Sequence, residues 1–302
     1  MTVAMIDRIT IYINDVEFED VEARLALSPS GIDKDGSFKY ASTIKNLKFT
    51  YAGRRLKITG SLHKCRKGNN YSLFTYEEAK NVLRELSDII GIPLNRFVVT
   101  SMELGLNIQL DKDVANYLHT IYNYKSNRFI PMTPLKGTSR LKGCKCVFSE
   151  YSIKFYDKTF EAIKKGRIKR EEVPTNLLRY EIQLSRKQLK SLGFTNVTGK
   201  NLLSPLHYTR FKRLMKRIFD KIVFDDTVDY TGCLEDDIKK HIFVMSDKYG
   251  YYLQCLKDYF GETEYRKERR RTNTLLKRMS SLPKGGLETE LKSKFETAIS
   301  KI

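Results

Sequence analysis

Five segments of this 302-residue chain alternate apolar and polar side chains, and this pattern restricts the fold more than any other feature. They span residues 5–13, 54–63, 98–110, 152–158 and 177–184. Strict alternation places the apolar side chains on one face of a β-strand and the polar ones on the other. Such strands pair into an antiparallel sheet that is covered on one face only. The pattern therefore predicts an α+β fold with a central antiparallel sheet, helices on one face and an exposed polar face.

Helical signals are predicted to supply the covering layer. Residues 75–90 form an amphipathic segment in which Thr75 is the expected N-cap, Glu78 completes a capping box and Gly91 marks the end. A shorter helix is predicted at 112–122.

The pattern changes further along the chain. Residues 123–146 are predicted to form a long basic loop. From about residue 200 the apolar residues recur at helical spacing, starting with one continuous helix over 201–224. We therefore expect a sheet domain over 1–198 and a basic helical domain over 199–302.

Charge is distributed unevenly along the sequence. The chain has 55 Lys or Arg and 36 Asp or Glu, a net charge of +19. Residues 1–110 hold 15 of the basic and 13 of the acidic residues, so a net +17 lies beyond residue 110. This asymmetry indicates a polyanionic partner such as nucleic acid, bound mainly by the C-terminal two thirds. Solubility alone is the simpler explanation.

Several classes of protein are disfavoured. No run of 18 apolar residues is present, so a membrane span is not expected. Five cysteines are too few and odd in number for a disulfide framework, which favours a reducing cytoplasm. Cys144 and Cys146 have neither the usual zinc-ligand spacing nor a second ligand pair. No GxxxxGK[ST] phosphate-binding motif occurs.

The predicted polar face of the sheet carries an unusual set of side chains. Outward faces of ordinary strands favour Thr, Lys and β-branched residues. Carboxylates, an imidazole and amides together favour a functional surface over a merely solvated one. The members of this face are His63, Glu103, Asn107, Lys154, Tyr156, Lys158, Arg179, Glu181 and Gln183.

Four stretches occur in an order that resembles the gene II/gene X family of phage and plasmid replication proteins. They are GSLHKCRKGNNYSLFTYEEA, VVTSMELGLNIQL, IKFYDKTFE and NLLRYEIQLSRKQLKSLG. The resemblance runs from about Met5 to Leu203, about two thirds of the chain, and is loose in each stretch but specific in order and spacing. It implies that residues 1–198 are an HUH-like nicking endonuclease domain.

The resemblance also implies an activity. Members of the family are rolling-circle replication initiators that nick one DNA strand at an origin with a tyrosine, assisted by a divalent metal. The attack leaves a 5′-phosphotyrosine and a free 3′-OH, and the strands are later rejoined. The implied partners are single-stranded or hairpin origin DNA, its flanking duplex, and a host helicase and polymerase. The implied setting is the cytoplasm of a bacterial cell, with a phage or plasmid gene.

The family's nucleophile lies in a Y-x-K-x-x-E pattern, which here consists of Tyr156, Lys158 and Glu161. A phenol is a weak nucleophile at its ordinary pKa near 10, so it needs positive charge nearby. Lys154 and Lys158 are predicted to flank Tyr156 on one strand face and to stabilise phenolate and phosphate. Tyr151 is the alternative nucleophile, expected on the opposite face.

The expected metal is Mg²⁺ or Mn²⁺. Many rolling-circle endonucleases carry a His-hydrophobic-His pair, but this chain has only His63 at the matching position. Oxygen ligands suit both cations, and Mn²⁺ also accepts an imidazole. The predicted ligands are Glu103, Asn107 four residues further on the same face, and His63.

An ion pair is the alternative role of Glu103, which could pair across strands with Lys57 or Arg179. Glu181 is expected to orient Arg179 or a lysine, and metal ligation is its alternative role.

Basic residues in two loops and one helix are predicted to hold the DNA backbone. Solvated lysine-rich surfaces are the alternative. The predicted DNA-binding residues are Arg179, Lys64, Arg66, Lys67, Arg140, Lys142, Arg269, Arg270 and Arg271.

Two other functions remain open at this stage. A non-catalytic initiator or repressor would recognise an origin without cutting it. A relaxase or transposase would use the same chemistry for transfer or mobility.

Overall fold

The computed structural model of the chain describes residues 5–302 except 33, 133–140, 167, 226–229, 231, 247 and 283–284. Its strands are β1 (Ile6–Asn14), β2 (Ser28–Ile32), β3 (Phe38–Ile44), β4 (Leu47–Ala52), β5 (Arg55–Ser61), β6 (Val98–Gln109), β7 (Ile121–Tyr124), β8 (Asn127–Arg128), β9 (Ile130–Pro131), β10 (Gly143–Val147), β11 (Tyr151–Asp157), β12 (Leu177–Ser185) and β13 (Ile222–Phe224). Its α-helices are α1 (Phe18–Leu25), α2 (Leu62–Lys67), α3 (Tyr76–Ile90), α4 (Val114–Thr120), α5 (Lys158–Gly166), α6 (Arg186–Ser191), α7 (Gly199–Leu202), α8 (Pro205–Phe219), α9 (Glu235–Val244), α10 (Lys248–Ser280) and α11 (Leu287–Ser300). Within these ranges no helix is both long enough and apolar enough to cross a bilayer.

A large antiparallel sheet organises the fold, as the alternating segments predict. In the part of the chain that the structure describes, ten strands pair in the order β2-β3-β4-β5-β1-β6-β12-β11-β10-β9. The central strands β6, β12 and β11 pair without a register shift, so the side-chain faces stay aligned across them. The predicted α+β class with a C-terminal helical region is confirmed.

Helices cover the apolar face of this sheet. Phe155 of β11 stacks on Tyr180 of β12, with ring centroids 4.8 Å apart. Beyond them Phe219 of α8 stacks on Phe295 of α11 at 3.7 Å. The Tyr180 hydroxyl donates a hydrogen bond to the carbonyl of Met215 in α8 at 3.1 Å, so its one polar atom is satisfied in the core.

The helix predicted at 75–90 is confirmed in detail. Thr75 accepts from the backbone N–H of Glu78, and the Glu78 carboxylate accepts from the backbone N–H of Thr75 at 2.9 Å. Gly91 ends the helix with a φ of 77°, a conformation that glycine adopts without strain. One apolar stripe of α3 is buried, with Val82, Leu83 and Leu86 among its members.

The strand predicted at 54–63 ends two residues earlier than predicted, at Ser61. Ser61 has an extended backbone and accepts a hydrogen bond from Lys64 N at 3.0 Å, which makes it the N-cap of α2. His63 therefore lies on a helix and not on the strand face. The predicted basic loop that follows is helical up to Lys67.

Three other boundaries differ from the prediction. Strand β11 ends at Asp157, whose carboxylate accepts from Phe160 N at 2.8 Å, so Lys158 begins α5. The described part of the predicted loop 123–146 contains four short strands. The predicted helix over 201–224 is not continuous. Its last three residues form β13, which pairs with β7.

The compact units of the chain have other boundaries than the predicted division after residue 198. One unit comprises Met1–Asp225 with Glu290–Ile302, and the other comprises Asp226–Thr289. The reason is the aromatic packing of α8 and α11, which ties both helices to the sheet. Only the middle of the predicted helical domain forms a unit of its own.

The second unit is built from α9 and α10. Tyr249 donates a hydrogen bond to the Thr272 hydroxyl at 2.7 Å, and Lys240 pairs with Glu268 at 3.1 Å. Within α10, Gly261 has a φ of 82° and breaks the helical geometry.

Candidate active site

The polar face of the central strands gathers most of the predicted side chains. In the register of the sheet, Tyr156 lies opposite Arg179 and Lys154 opposite Glu181. On the other side of β12, Arg179 lies opposite Asn107, and Gln183 lies opposite Glu103. This face is not exposed as predicted, because Arg179 and Glu181 are almost fully buried.

Arg179 is the hub of the cluster. Its Nη2 donates to Asp7 Oδ2 at 2.7 Å, its Nε to Glu181 Oε1 at 3.2 Å and its Nη1 to Asn107 Oδ1 at 3.0 Å. Two carboxylates neutralise the buried guanidinium, and the pKa of Arg179 is raised because their attraction exceeds the cost of burial. The predicted role of Arg179 in holding DNA is therefore wrong: it is 3% exposed and positions other side chains.

A glycine makes room for this guanidinium. A β-carbon at Gly105, in the middle of β6, would lie 2.0 Å from Arg179 Nη2. Glycine inside a strand marks such a close approach. The cluster therefore requires a residue without a side chain at position 105.

Asp7 joins the polar face through a bulge. Ile9, Ile11 and Ile13 form the apolar face of β1, so regular alternation would turn Asp7 inward with them. The pairing with β6 shifts between Ile6 and Ile9, and the extra residue moves Asp7 to the polar side. There Asp7 accepts hydrogen bonds from Ser61 and Asn70 as well as Arg179.

These bonds also set the protonation state of Asp7. Burial alone would raise the pKa of Asp7, but the Arg179 charge and the hydrogen bonds from Ser61 and Asn70 offset it and lower that pKa. The Asp7 carboxylate is thus ionised in the folded protein.

Tyr156 reaches the cluster through its hydroxyl. Tyr156 Oη donates a hydrogen bond to Glu181 Oε1 at 2.8 Å, the same oxygen that Arg179 Nε contacts. Burial raises the pKa of Tyr156 well above its ordinary value, the Glu181 charge raises it further, and Arg179 opposes both. The phenol is therefore protonated in this arrangement.

Lys158 supports Tyr156 from α5. Its ammonium lies 5.7 Å from the centroid of the Tyr156 ring, donates to Asn70 Oδ1 at 2.7 Å and pairs with Glu161. Burial lowers the pKa of Lys158, the Arg179 charge lowers it further, and Glu161 opposes both. The side chain is fully buried, so Lys158 acts from beneath the ring and not from the predicted strand face.

Lys154 and Glu103 form a second pair on the face. Lys154 Nζ lies 3.8 Å from Glu103 Oε1 and donates to Gln183 Oε1 at 3.3 Å. Burial raises the pKa of Glu103, and the charge of Glu181 raises it further. The ion-pair alternative for Glu103 is thus realised, with Lys154 in place of Lys57 or Arg179.

A cleft of about 810 Å³ opens over these residues. Its cationic side chains are exposed or half-buried, whereas its carboxylates are half-buried or buried. The cations are Arg8, Lys48, Lys64, Lys142, Lys154, Lys164 and Lys165. The carboxylates are Asp7, Glu103, Asp157, Glu161 and Glu181. The cleft thus has a positive rim and a negative floor, with Tyr156 in its wall.

The predicted metal-binding trio does not come together. Glu103 and Asn107 are four residues apart on an extended strand, about 13 Å. The Arg179 guanidinium occupies the space over Gly105 between them. Asn107 already bonds Arg179 and Asn70. Among the residues that the structure describes, no group of three His, Cys, Asp or Glu is arranged to hold a metal.

His63 has a different environment from the predicted one. Its ring stacks on Phe74 at 4.6 Å, and its buried Nε2 has no hydrogen-bond partner among the residues that the structure describes. Burial lowers the pKa of His63 to about 4, with Asp7 opposing and Arg179 adding to the shift. His63 is a neutral, packed imidazole.

The remaining predicted DNA-binding residues fall into four groups. Lys64 and Lys142 line the cleft. Arg66 and Lys67 pair with Glu85 at 3.2 Å and Glu78 at 2.6 Å on the surface of α2 and α3.

The other basic residues lie elsewhere. Arg269, Arg270 and Arg271 are exposed on α10 in the second unit. Arg140 lies outside the described residues.

Sequence reasoning missed Asp7, Asn70 and Ser61. Asp7 was hidden by its apparent place on the apolar face, and Ser61 by the missed start of α2. Asn70 lies in a segment with no periodicity. Gly105 was the available signal, since a glycine within an otherwise regular strand points to a large neighbour.

Comparisons with known proteins add little. No family model matches the sequence, and no curated protein does. Among solved structures, a rolling circle replication initiator protein from Geobacillus stearothermophilus is similar over 76% of this chain and 88% of that chain. The two are 12% identical, with a TM-score of 0.40. Likeness at this level carries no functional argument.

Proposed function

We propose that this chain is a replication initiator that nicks one DNA strand with Tyr156 and later rejoins the ends. The Tyr156 oxygen attacks a backbone phosphate, which leaves a 5′-phosphotyrosine and a free 3′-OH for a polymerase. The observation that carries the proposal is the Tyr156 hydroxyl itself. It lies in the wall of a cleft and is bonded to a buried carboxylate that a buried arginine holds in place.

The charge pattern of the cleft supports a nucleic-acid substrate. Cations on the rim suit successive phosphates of a single strand, because their side chains are exposed or half-buried and lie within one cleft. A site for a small anion would place its cations on the floor, whereas here the floor is acidic. The rim thus favours the backbone of a chain that crosses the cleft above Tyr156.

The Y-x-K-x-x-E pattern supports the same function. Its three residues come together: Lys158 pairs with Glu161 and lies 5.7 Å from the Tyr156 ring. In the family that the sequence resembles, this pattern marks the nucleophile. The spacing therefore corresponds to a physical cluster and not to a chance match of letters.

A divalent metal, Mg²⁺ or Mn²⁺, belongs to the proposal with a smaller ligand set than predicted. Glu103 is the candidate ligand, because its carboxylate lines the cleft near the charges of Glu181 and Asp7 and its ammonium partner is 3.8 Å away. His63 and Asn107 do not suit it. When bound, the metal would polarise the scissile phosphate.

A binding-only initiator is the second candidate. The observation that favours it is the raised pKa of Tyr156, since a protonated phenol is a poor nucleophile. A protein of this kind would bind the same DNA and leave it intact.

A covalent-capture experiment separates the two candidates. The protein is incubated with a random pool of single-stranded oligonucleotides and Mg²⁺ or Mn²⁺, and denatured adducts are isolated and sequenced. We expect adducts with an enriched cleavage sequence from the wild type and none from Tyr156→Phe. Retained DNA without adducts from the wild type would support the binding-only initiator instead.

A further inference from the structure

We propose that Glu181 is the general base that accepts the proton of the Tyr156 hydroxyl during strand cleavage. This inference rests on the proposed function, since it assigns the proton acceptor for the same attack. It starts from a chemical requirement: a half-buried phenol bonded to a carboxylate does not ionise by itself at neutral pH.

The distance between the two groups fits proton transfer. Tyr156 Oη and Glu181 Oε1 are 2.8 Å apart, inside the range of about 2.6–3.2 Å in which a base takes a proton directly. Glu181 lies diagonally across from Tyr156 in the β11–β12 register, and that register has no shift. The backbone of two paired strands therefore fixes the donor and acceptor.

Arg179 prepares the base before DNA binds. Its Nε donates to the same Glu181 oxygen at 3.2 Å, and its other nitrogens are anchored by Asp7 and Asn107. The Glu181 side chain is 7% exposed, so it has little freedom to turn away. A base that is already oriented loses little conformational entropy when it accepts the proton.

The other carboxylates of the cleft are engaged elsewhere. Asp7 accepts from Ser61, Asn70 and Arg179. Glu161 pairs with Lys158 and Lys165. Among the described contacts, the Tyr156 hydroxyl bonds Glu181 alone of these groups.

The step balances as follows. Glu181 takes the phenol proton while a lone pair of Tyr156 Oη forms the bond to phosphorus. The bond from phosphorus to the 3′ oxygen breaks, and that oxygen keeps the electron pair and takes a proton from water. Rejoining is the reverse: a 3′-OH gives its proton to water or hydroxide and attacks phosphorus, the bond from phosphorus to Tyr156 Oη breaks, and the phenolate takes its proton back from Glu181.

The charged groups around this pair come from five elements, and their charges act on the proton transfer. They are Asp7 of β1, Glu103 of β6, Lys154 of β11, Lys158 and Glu161 of α5, and Arg179 of β12.

Glu181→Gln is the test variant, because glutamine keeps the size and an acceptor oxygen but takes no proton at neutral pH. Single-turnover cleavage is measured with an oligonucleotide captured by the wild type. We expect the rate to fall about 10²- to 10⁴-fold. The remaining rate should rise about tenfold per pH unit, as hydroxide replaces the base. Glu181→Asp, which keeps a carboxylate, should restore part of the rate.

The cleavage rate with a more acidic phenol distinguishes a general base from a residue that only supports the structure. Fluorinated tyrosine at position 156 loses its proton more easily, so it should shrink the deficit of Glu181→Gln. The surface pair partner Glu150 supplies the control: Glu150→Gln should cleave at the wild-type rate. Equal cleavage by Glu181→Gln, or an equal deficit with both phenols, would overturn the role of Glu181.

Failure of the two proposals is distinguishable. If the wild type forms no covalent adduct, the proposed function fails and this inference with it. If the wild type forms the adduct on Tyr156 and Glu181→Gln does so as fast, the proposed function stands and Glu181 is not the base.

Discussion

At the scale of single residues, Arg179 joins side chains of the three strands β1, β6 and β12. It bonds Asp7, Glu181 and Asn107 at once. Removing one partner of such a buried cluster leaves a charge uncompensated, which costs more than the lost bond itself. The arrangement is thus rigid before substrate arrives.

Protonation of His63 gives a test of the buried environment. Its pKa is near 6.5 in an unfolded chain and about 4 in the fold, so below pH about 6.5 the unfolded state binds the proton first. The contribution of His63 to the free energy of unfolding is fully present above that pH. It falls by about 3 kcal/mol as the pH drops to about 4.

Denaturant unfolding of wild type and His63→Gln measures this effect. The advantage of the wild type should shrink on going from neutral to mildly acidic pH, because glutamine does not titrate. An advantage that stays constant would show that His63 is not a buried neutral imidazole.

Glu103 gives a second test at this scale. We expect Glu103→Ala to lose strand cleavage while it keeps its unfolding free energy within about 1 kcal/mol, because the Lys154 pair is long, at 3.8 Å, and only partly buried. EDTA should likewise stop cleavage by the wild type. Full cleavage in EDTA would remove the metal from the account, and an unfolded variant would make Glu103 structural.

At the scale of secondary structure, regular alternation predicted the central strands β1, β6, β11 and β12 because each keeps one face buried. The alternation also predicted which residues share the polar face. It placed Tyr151 on the opposite face from Tyr156, where Tyr151 stacks on Phe148. The interruptions were not predictable in this way. The β1 bulge, the start of α2 and the start of α5 depend on tertiary bonds that no local pattern carries.

Gly105 tests the close approach of β6 and Arg179. A methyl group there displaces the guanidinium and weakens charge-assisted bonds worth about 1.5–3 kcal/mol each. We expect Gly105→Ala to lower the unfolding free energy by about that amount and to slow cleavage. Gly250→Ala is the matched control, since a β-carbon at this position in α10 meets none of the described atoms within 4 Å. It should be neutral or stabilising; equal stability of both variants would contradict the placement of Arg179.

At the scale of the whole molecule, a net +17 of the net +19 charge lies beyond residue 110. The charge asymmetry is a property of the sequence, and it predicts a DNA partner. The unit boundaries were not predictable from the sequence. Those depend on which helix packs on the sheet: α8 and α11 do so through Phe219 and Phe295, which helical spacing alone does not reveal.

Salt dependence of binding tests the charge argument. Binding to a captured oligonucleotide should weaken on the order of a thousandfold between about 50 and 200 mM salt. Replacing Arg269, Arg270 and Arg271 with Ala should weaken binding with little change in the cleavage sequence, because exposed arginines on a helix suit phosphates. A flat salt response would mean that the basic excess lies away from the interface.

The central claim is that Tyr156 is the nucleophile, and the most direct test is the mass of the covalent adduct. Trypsin separates the two candidate tyrosines, since Tyr156 lies in the peptide 155–158 and Tyr151 in the peptide 146–154. After nuclease trimming, a nucleotide should be found on the peptide 155–158, and Tyr156→Phe should give none while Tyr151→Phe reacts normally. A nucleotide on any other tyrosine, or cleavage without a covalent adduct, would contradict the account.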